Sequence, residues 1–232
     1  MSRSPVVSRR DAVHPARRVL PRVEGTETAA DLAARLGVRG VAGAGVHRVH
    51  AALAGLFPAR GLERGRIYAV RGSATISAVY ALVAEATRDG AWFAMVDMPR
   101  AGLVAADEQG IAMHRVVSVS VPRTVDTGAW SRLVGTIADG IDLVACSSPR
   151  CGAADARRLA ARVRASGSVL FVVGNPGVVD IDATVNVATR GWSFDAHAHA
   201  RTVDVECSGR RMPGVRRVTV QLPSAEGKVA AS

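Results

Sequence analysis

The stretch Arg71-Gly72-Ser73-Ala74-Thr75-Ile76-Ser77 is where residue types and spacing come nearest to a known chemistry. It follows the apolar run Ile67-Tyr68-Ala69-Val70 and precedes an Ala- and Val-rich stretch with helical spacing. A strand, a glycine turn and a helix start in that order form the setting in which backbone N–H groups hold phosphate oxygens. A complete loop of this kind adds a lysine that neutralises the terminal phosphates and a hydroxyl that ligates Mg²⁺. Hydroxyls stand at Ser73, Thr75 and Ser77, but no lysine is near. Lys228 is the one lysine of the chain, so 30 − 1 = 29 of its Lys and Arg residues are arginine. Arg71 adjoins the turn, yet its planar fork lies on the wrong side of the loop and does not replace a phosphate-buried lysine conservatively.

Other reactive side chains form weaker patterns. His47 with His50, and His197 with His199, lack a Cys, Asp or Glu at a recognised ligand spacing, so no metal site is predicted. Cys146 and Cys151 have four residues between them and no second pair to complete a zinc set; with Cys207 they read as free thiols, Cys146 buried at a strand end. No Gly-x-Ser-x-Gly elbow supports a serine hydrolase. Trp92, Trp130 and Trp192 read as core or sheet-cover residues, with Trp192, close to Arg190, also a candidate interface anchor.

From residue 61 the elements that must position these groups alternate, as parallel strands joined by helical crossovers require. Strands are predicted at 67–70, 91–96, 116–121, 141–146 and 169–173, and helices at 78–88, 129–138 and 153–165. Beyond residue 180 the pattern changes to three alternating stretches, 183–188, 202–207 and 215–222, separated by turn residues and read as antiparallel strands on one sheet edge. Before residue 61, helices are predicted at 28–36 and 46–56. The resulting organisation is a basic arm over 1–24, N-terminal helices over 25–60, an α/β core over 61–180, edge strands over 181–224 and a flexible tail over 225–232. Aromatic residues are 4% of the chain, so the core must be built from Val, Ala and Leu, a composition suited to buried parallel strands.

The formal charge is +10, which favours acidic partners, nucleic acid or an acidic protein surface. Residues 1–22 hold six arginines against Asp11 alone. Near the other end, Arg201, Arg210, Arg211, Arg216 and Arg217 are a candidate partner or DNA-backbone stripe, because alternate residues of paired strands share a face. An odd number of cysteines without framework spacing indicates a reducing cytoplasm, and no apolar run approaches the roughly 20 residues of a membrane span.

The segment Gly61-Leu62-Glu63-Arg64-Gly65-Arg66-Ile67 leading to Gly72 resembles the approach to the nucleotide loop of the RecA family. Aligned on that family, the lysine position holds Ala78, or Thr75 if the loop is shortened. Asp97 matches its strand-ending aspartate, Met98 stands where its water-activating carboxylate would be, and Cys146 replaces its magnesium-holding aspartate. Residues 157–162 with 169–174, and Gly209-Arg210-Arg211 with 216–223, extend the likeness toward the ImuA/SulA branch, closest to the actinobacterial ImuA-prime type. The resemblance implies a RecA-like, doubly wound, mostly parallel sheet with helices on both faces and no cofactor. It further implies a non-catalytic accessory of SOS-induced mutagenic translesion synthesis. Its partners would be an inactive Y-family polymerase homologue, the error-prone replicative polymerase or RecA, with non-specific DNA contact and no membrane. A SulA-like inhibitor of a tubulin-like division protein is the alternative that the same resemblance leaves open.

Overall fold

A computed structural model describes residues 45–147, 149–195 and 198–232. The predicted arm, the helix at 28–36 and His197 lie outside them. Among the described residues the chain forms an α/β domain around a nine-stranded sheet, in the order β11-β10-β9-β8-β3-β7-β6-β4-β5. The strands are β3 (Ile67–Gly72), β4 (Phe93–Val96), β5 (Val116–Val119), β6 (Leu143–Ser147), β7 (Val169–Val173), β8 (Ala183–Phe194), β9 (Ala198–Ser208), β10 (Arg216–Gln221) and β11 (Ala230–Ala231). Pairing is parallel from β8 through β3, β7, β6 and β4 to β5, and antiparallel from β8 outward to β11.

Helices cover both faces. On one side lie α1 (Ala51–Ala54), α2 (Thr75–Arg88) and α3 (Leu103–Glu108), packed on Tyr68, Val70, Phe93, Met95 and Phe171. On the other lie α4 (Thr127–Gly140) and α5 (Ala153–Ser166), packed on Ile67, Ala94, Val96, Val144 and Leu170. This division follows from period-two alternation along strands buried on both faces, which also explains their unbroken apolar runs. Trp130 is fully buried in the second layer, the largest side chain of a core in which Val, Ala and Leu predominate.

Three expectations need correction. Residues 46–56 are not one helix: Val46–Arg48 form β1, antiparallel to β2 (Gly61–Glu63), before the short α1 begins. The partner strand decides this, because a three-residue segment gains backbone hydrogen bonds only when an edge lies beside it. Residues 183–188 are not purely antiparallel, since β8 runs parallel to β3 on one side and antiparallel to β9 on the other. Finally, 225–232 is not a loose tail: Val229 is buried and Ala230–Ala231 pair with Gln221 and Val220 of β10.

Candidate functional site

A cleft of about 1140 Å³ opens at the carboxyl ends of the parallel strands, lined by Gly72, Asp97, Ser118, Ser147 and Val173 from β3 to β7 and by the loops that follow them. Open α/β sheets bind ligands at this end. The cleft also lies where the winding order reverses between parallel neighbours: β4 is followed by a helix on one face and β6 by a helix on the other.

The loop after β3 has become part of the sheet. Only Ser73 and Ala74 separate β3 from α2, and Gly72 still pairs with Val187. The Ser73 amide donates to Val187 O at 2.9 Å, and Ser73 Oγ accepts from Thr189 N at 2.9 Å while sharing a 2.8 Å hydrogen bond with Thr189 Oγ1. Gly72 has φ +107°, and a Cβ there would fall 1.9 Å from Val187 O, so glycine serves close strand approach. A two-residue connection whose first amide already bonds the neighbouring strand cannot encircle a phosphate. Arg71, paired opposite the exposed Asn186, points to the α5 side, away from the cleft. Thr75 and Ser77 sit in the first turn of α2 and line the cleft.

Asp97 closes a clamp across the strand tips. With φ +53° it holds a left-handed conformation that Asp tolerates better than most residues. Its Oδ1 accepts from Val121 N at 2.8 Å; its Oδ2 accepts from Trp130 Nε1 at 3.0 Å and from Arg150 Nη2 at 3.1 Å. Its carbonyl accepts from Ser147 Oγ. Arg150 also donates to Pro122 O and Val121 O, so one carboxylate joins β4 to the loops after β5 and β6. Met98 lines the cleft beside it and packs on the α2-side core. Cys146 points away from the cleft into the α4–α5 layer, where burial pushes its thiol up to about 12. It presents no ligand to the cleft.

The five-arginine stripe does not converge. Arg210 pairs with Asp180, Arg211 lies 3.6 Å from Asp182, and Arg217 donates to Glu206 at 2.7 Å. Arg216 donates to Gly55 O at 3.3 Å. Arg201 stands apart, half-buried at the cleft wall: Nη2 donates to Ser77 Oγ at 3.0 Å, Nε donates to Leu222 O at 2.7 Å, and the guanidinium lies 5.0 Å from the Trp192 ring. Burial lowers its pKa, and it sits at the positive end of α2, where a cation is disfavoured. The residues not foreseen from sequence are Arg150, Trp130 and Ser147 of the clamp, and Arg100 and Arg123 of the cleft wall. No local motif marks them, because they come from the ends of three strands, Arg100 after β4, Arg123 and Trp130 after β5, and Ser147 and Arg150 at and after the end of β6.

At the opposite end of the sheet, His47 is buried beside Arg64 and Asp142, and Arg64 lies 3.3 Å from that carboxylate. Burial, reinforced by Arg64, lowers the His47 pKa to about 4. His50 instead caps α1, accepting from Ala52 N at 3.3 Å. Among the described residues no three His, Cys, Asp or Glu side chains come together as a ligand set for a metal. Nor is any helix there long and apolar enough to cross a membrane.

A family model described as the MT3502 N-terminal domain matches residues 55–177, from the end of α1 to just beyond β7. No curated protein matches the chain.

Proposed function

The chain belongs to the MT3502 N-terminal domain family, and from that premise we propose that it is a non-catalytic adaptor with a RecA-like core, acting in mutagenic translesion DNA synthesis. The observation that carries the non-catalytic part is the two-residue Ser73–Ala74 connection, whose leading amide is bonded to Val187 O. Met98 and the inward-turned Cys146 support it, since neither offers a carboxylate to the cleft. The strand order, with β3 set beside β7 and β6 placed between β7 and β4, is compatible with a RecA-like arrangement. Partnership with a Y-family polymerase homologue rests on the sequence resemblance.

Two experiments test the reading. Calorimetric titration of the full chain with ATP and Mg²⁺ is expected to give no saturable heat, and micromolar binding would defeat the non-catalytic assignment. Co-expression of the tagged full chain with the Y-family homologue, and separately with a tubulin-like division protein, is expected to recover the first in the purified complex. Recovery of the division protein alone would replace the adaptor by the inhibitor.

A further inference from the structure

We propose that the cleft and the β8–β9 hairpin beside it bind single-stranded nucleic acid, with phosphates along the cleft arginines and bases stacked on Trp192 and Phe194.

The hairpin is built to present those rings. Gly72, the last residue of β3, pairs with Val187, yet β8 continues to Phe194. At about 3.3 Å per residue, those further residues carry the ribbon roughly 20 Å past the end of β3. Up to Thr189 the inward face is Val185, Val187 and Thr189, opposite Cys207, Val205 and Val203. A register shift between Thr189 and Gly191 then changes the parity, so that Trp192 lies opposite Arg201 and shares the face of Val203 and α2. Bulges re-aim side chains in this way. Phe194 follows two residues on, beyond a second register shift between Ser193 and Phe194 that sets it opposite Ala198. Trp192 is 47% and Phe194 69% exposed, whereas Trp92 and Trp130 are buried.

Charge selects the occupant. Four arginines line the cleft, Arg100, Arg123, Arg150 and Arg201, against one carboxylate, Asp97, which Arg150 already neutralises. Among the described residues Arg100, Arg123 and Arg201 have no carboxylate within ion-pair distance, while Arg210, Arg211 and Arg217 on the C-terminal strands each have one. Ser77, whose Oγ only accepts from Arg201, and Ser118 and Ser120 add hydroxyl donors. An acidic protein segment would need a concave, desolvated pocket for its apolar anchors. Trp192 and Phe194 are instead raised and open, which suits a base that needs only a flat face. A duplex keeps its bases stacked inside and could use the arginines but not the rings.

The inference rests on the cleft being free of triphosphate, as in the preceding reading, and its test reads nucleic acid alone, without nucleotide. The full chain is titrated with a labelled oligothymidylate of about 20 nucleotides, a length covering more than one typical site, with anisotropy and tryptophan emission recorded together. Because residues 1–22 carry six arginines, affinity by itself does not discriminate. The discriminating variants are Trp192→Ala with Phe194→Ala, both at exposed positions, and Trp192→Phe, which keeps a stacking face. Binding is expected to quench the emission, to weaken roughly tenfold or more in the double alanine variant, and to persist without the Trp192 quench in Trp192→Phe. Unchanged affinity in the double variant, equal affinity for duplex, or equally hairpin-dependent binding of a polyglutamate peptide would each overturn the proposal. Absence of binding at low salt would overturn it too, and would leave the ATP-titration result untouched.

Discussion

Asp97 shows how a residue type can be read correctly and its task misjudged. Its position at the tip of β4 matches the strand-ending aspartate of the family it resembles, yet its carboxylate is committed to Val121 N, Trp130 Nε1 and Arg150. Replacing it by Ala strands the indole N–H of a fully buried tryptophan and unpairs a half-buried arginine; an expected loss of about 2–4 kcal/mol is measurable by urea unfolding. Asp97→Asn keeps the left-handed backbone and an acceptor, so it should lose less. Gly72→Ala tests the neighbouring strand approach: strain at φ +107° and collision with Val187 O should cost about 2–4 kcal/mol. A change under about 0.5 kcal/mol would mean that β3 and β8 do not meet as described. His47 gives a pH signature. Its folded pKa, about 4, lies below the ordinary 6.5, so the unfolded chain takes up the proton first. Stability from its neutral burial is therefore full above pH 6.5 and declines as pH falls toward 4, by about 3 kcal/mol at most. In His47→Gln, urea midpoints followed between those pH values should lose that component of the slope.

Among the elements, β8 has the most consequential placement, because it serves two sheets' worth of pairing. Its first half extends the parallel core and its second half leaves that core as a ribbon. Alternation in 183–188 was legible in the sequence, but continuation to Phe194 was not, since Gly191 and Ser193 interrupt the apolar pattern. The C-terminal β11 was hidden for a similar reason: two alanines carry no strand signal, and only the edge of β10 gives them one. Deleting residues 228–232 removes buried Val229 and re-exposes that edge. An expected destabilisation of about 1–3 kcal/mol, with increased self-association by light scattering, checks whether β11 seals the sheet.

Over the whole molecule, the three thiols report cooperativity. Cys146 and Cys207 are fully buried and both are pushed up to about 12 by burial, whereas Cys151 is half-buried beside the cleft-side Arg150 loop. A thiol reagent at pH 8 should therefore modify at most Cys151 in the native protein and all three after denaturation. Fast native modification of two or three would show that the two helical layers open separately.

The amino-acid sequence alone determined the parts that depend on near neighbours: helix and strand periodicity, the βα alternation of 67–173, the missing lysine and the dominance of small aliphatic residues in the core. It fixed the members of the arginine stripe but not their partners, because Asp180, Asp182 and Glu206 come from other turns and strands. Tertiary structure decided what each candidate residue faces: Ser73 turned to β8, Asp97 to Trp130 and Arg150, Cys146 to the core, and Arg201 to Ser77 and Trp192. The physical reason is that a polar group or cation takes the partners that other chain segments bring within hydrogen-bond range, and strand order and register set those meetings.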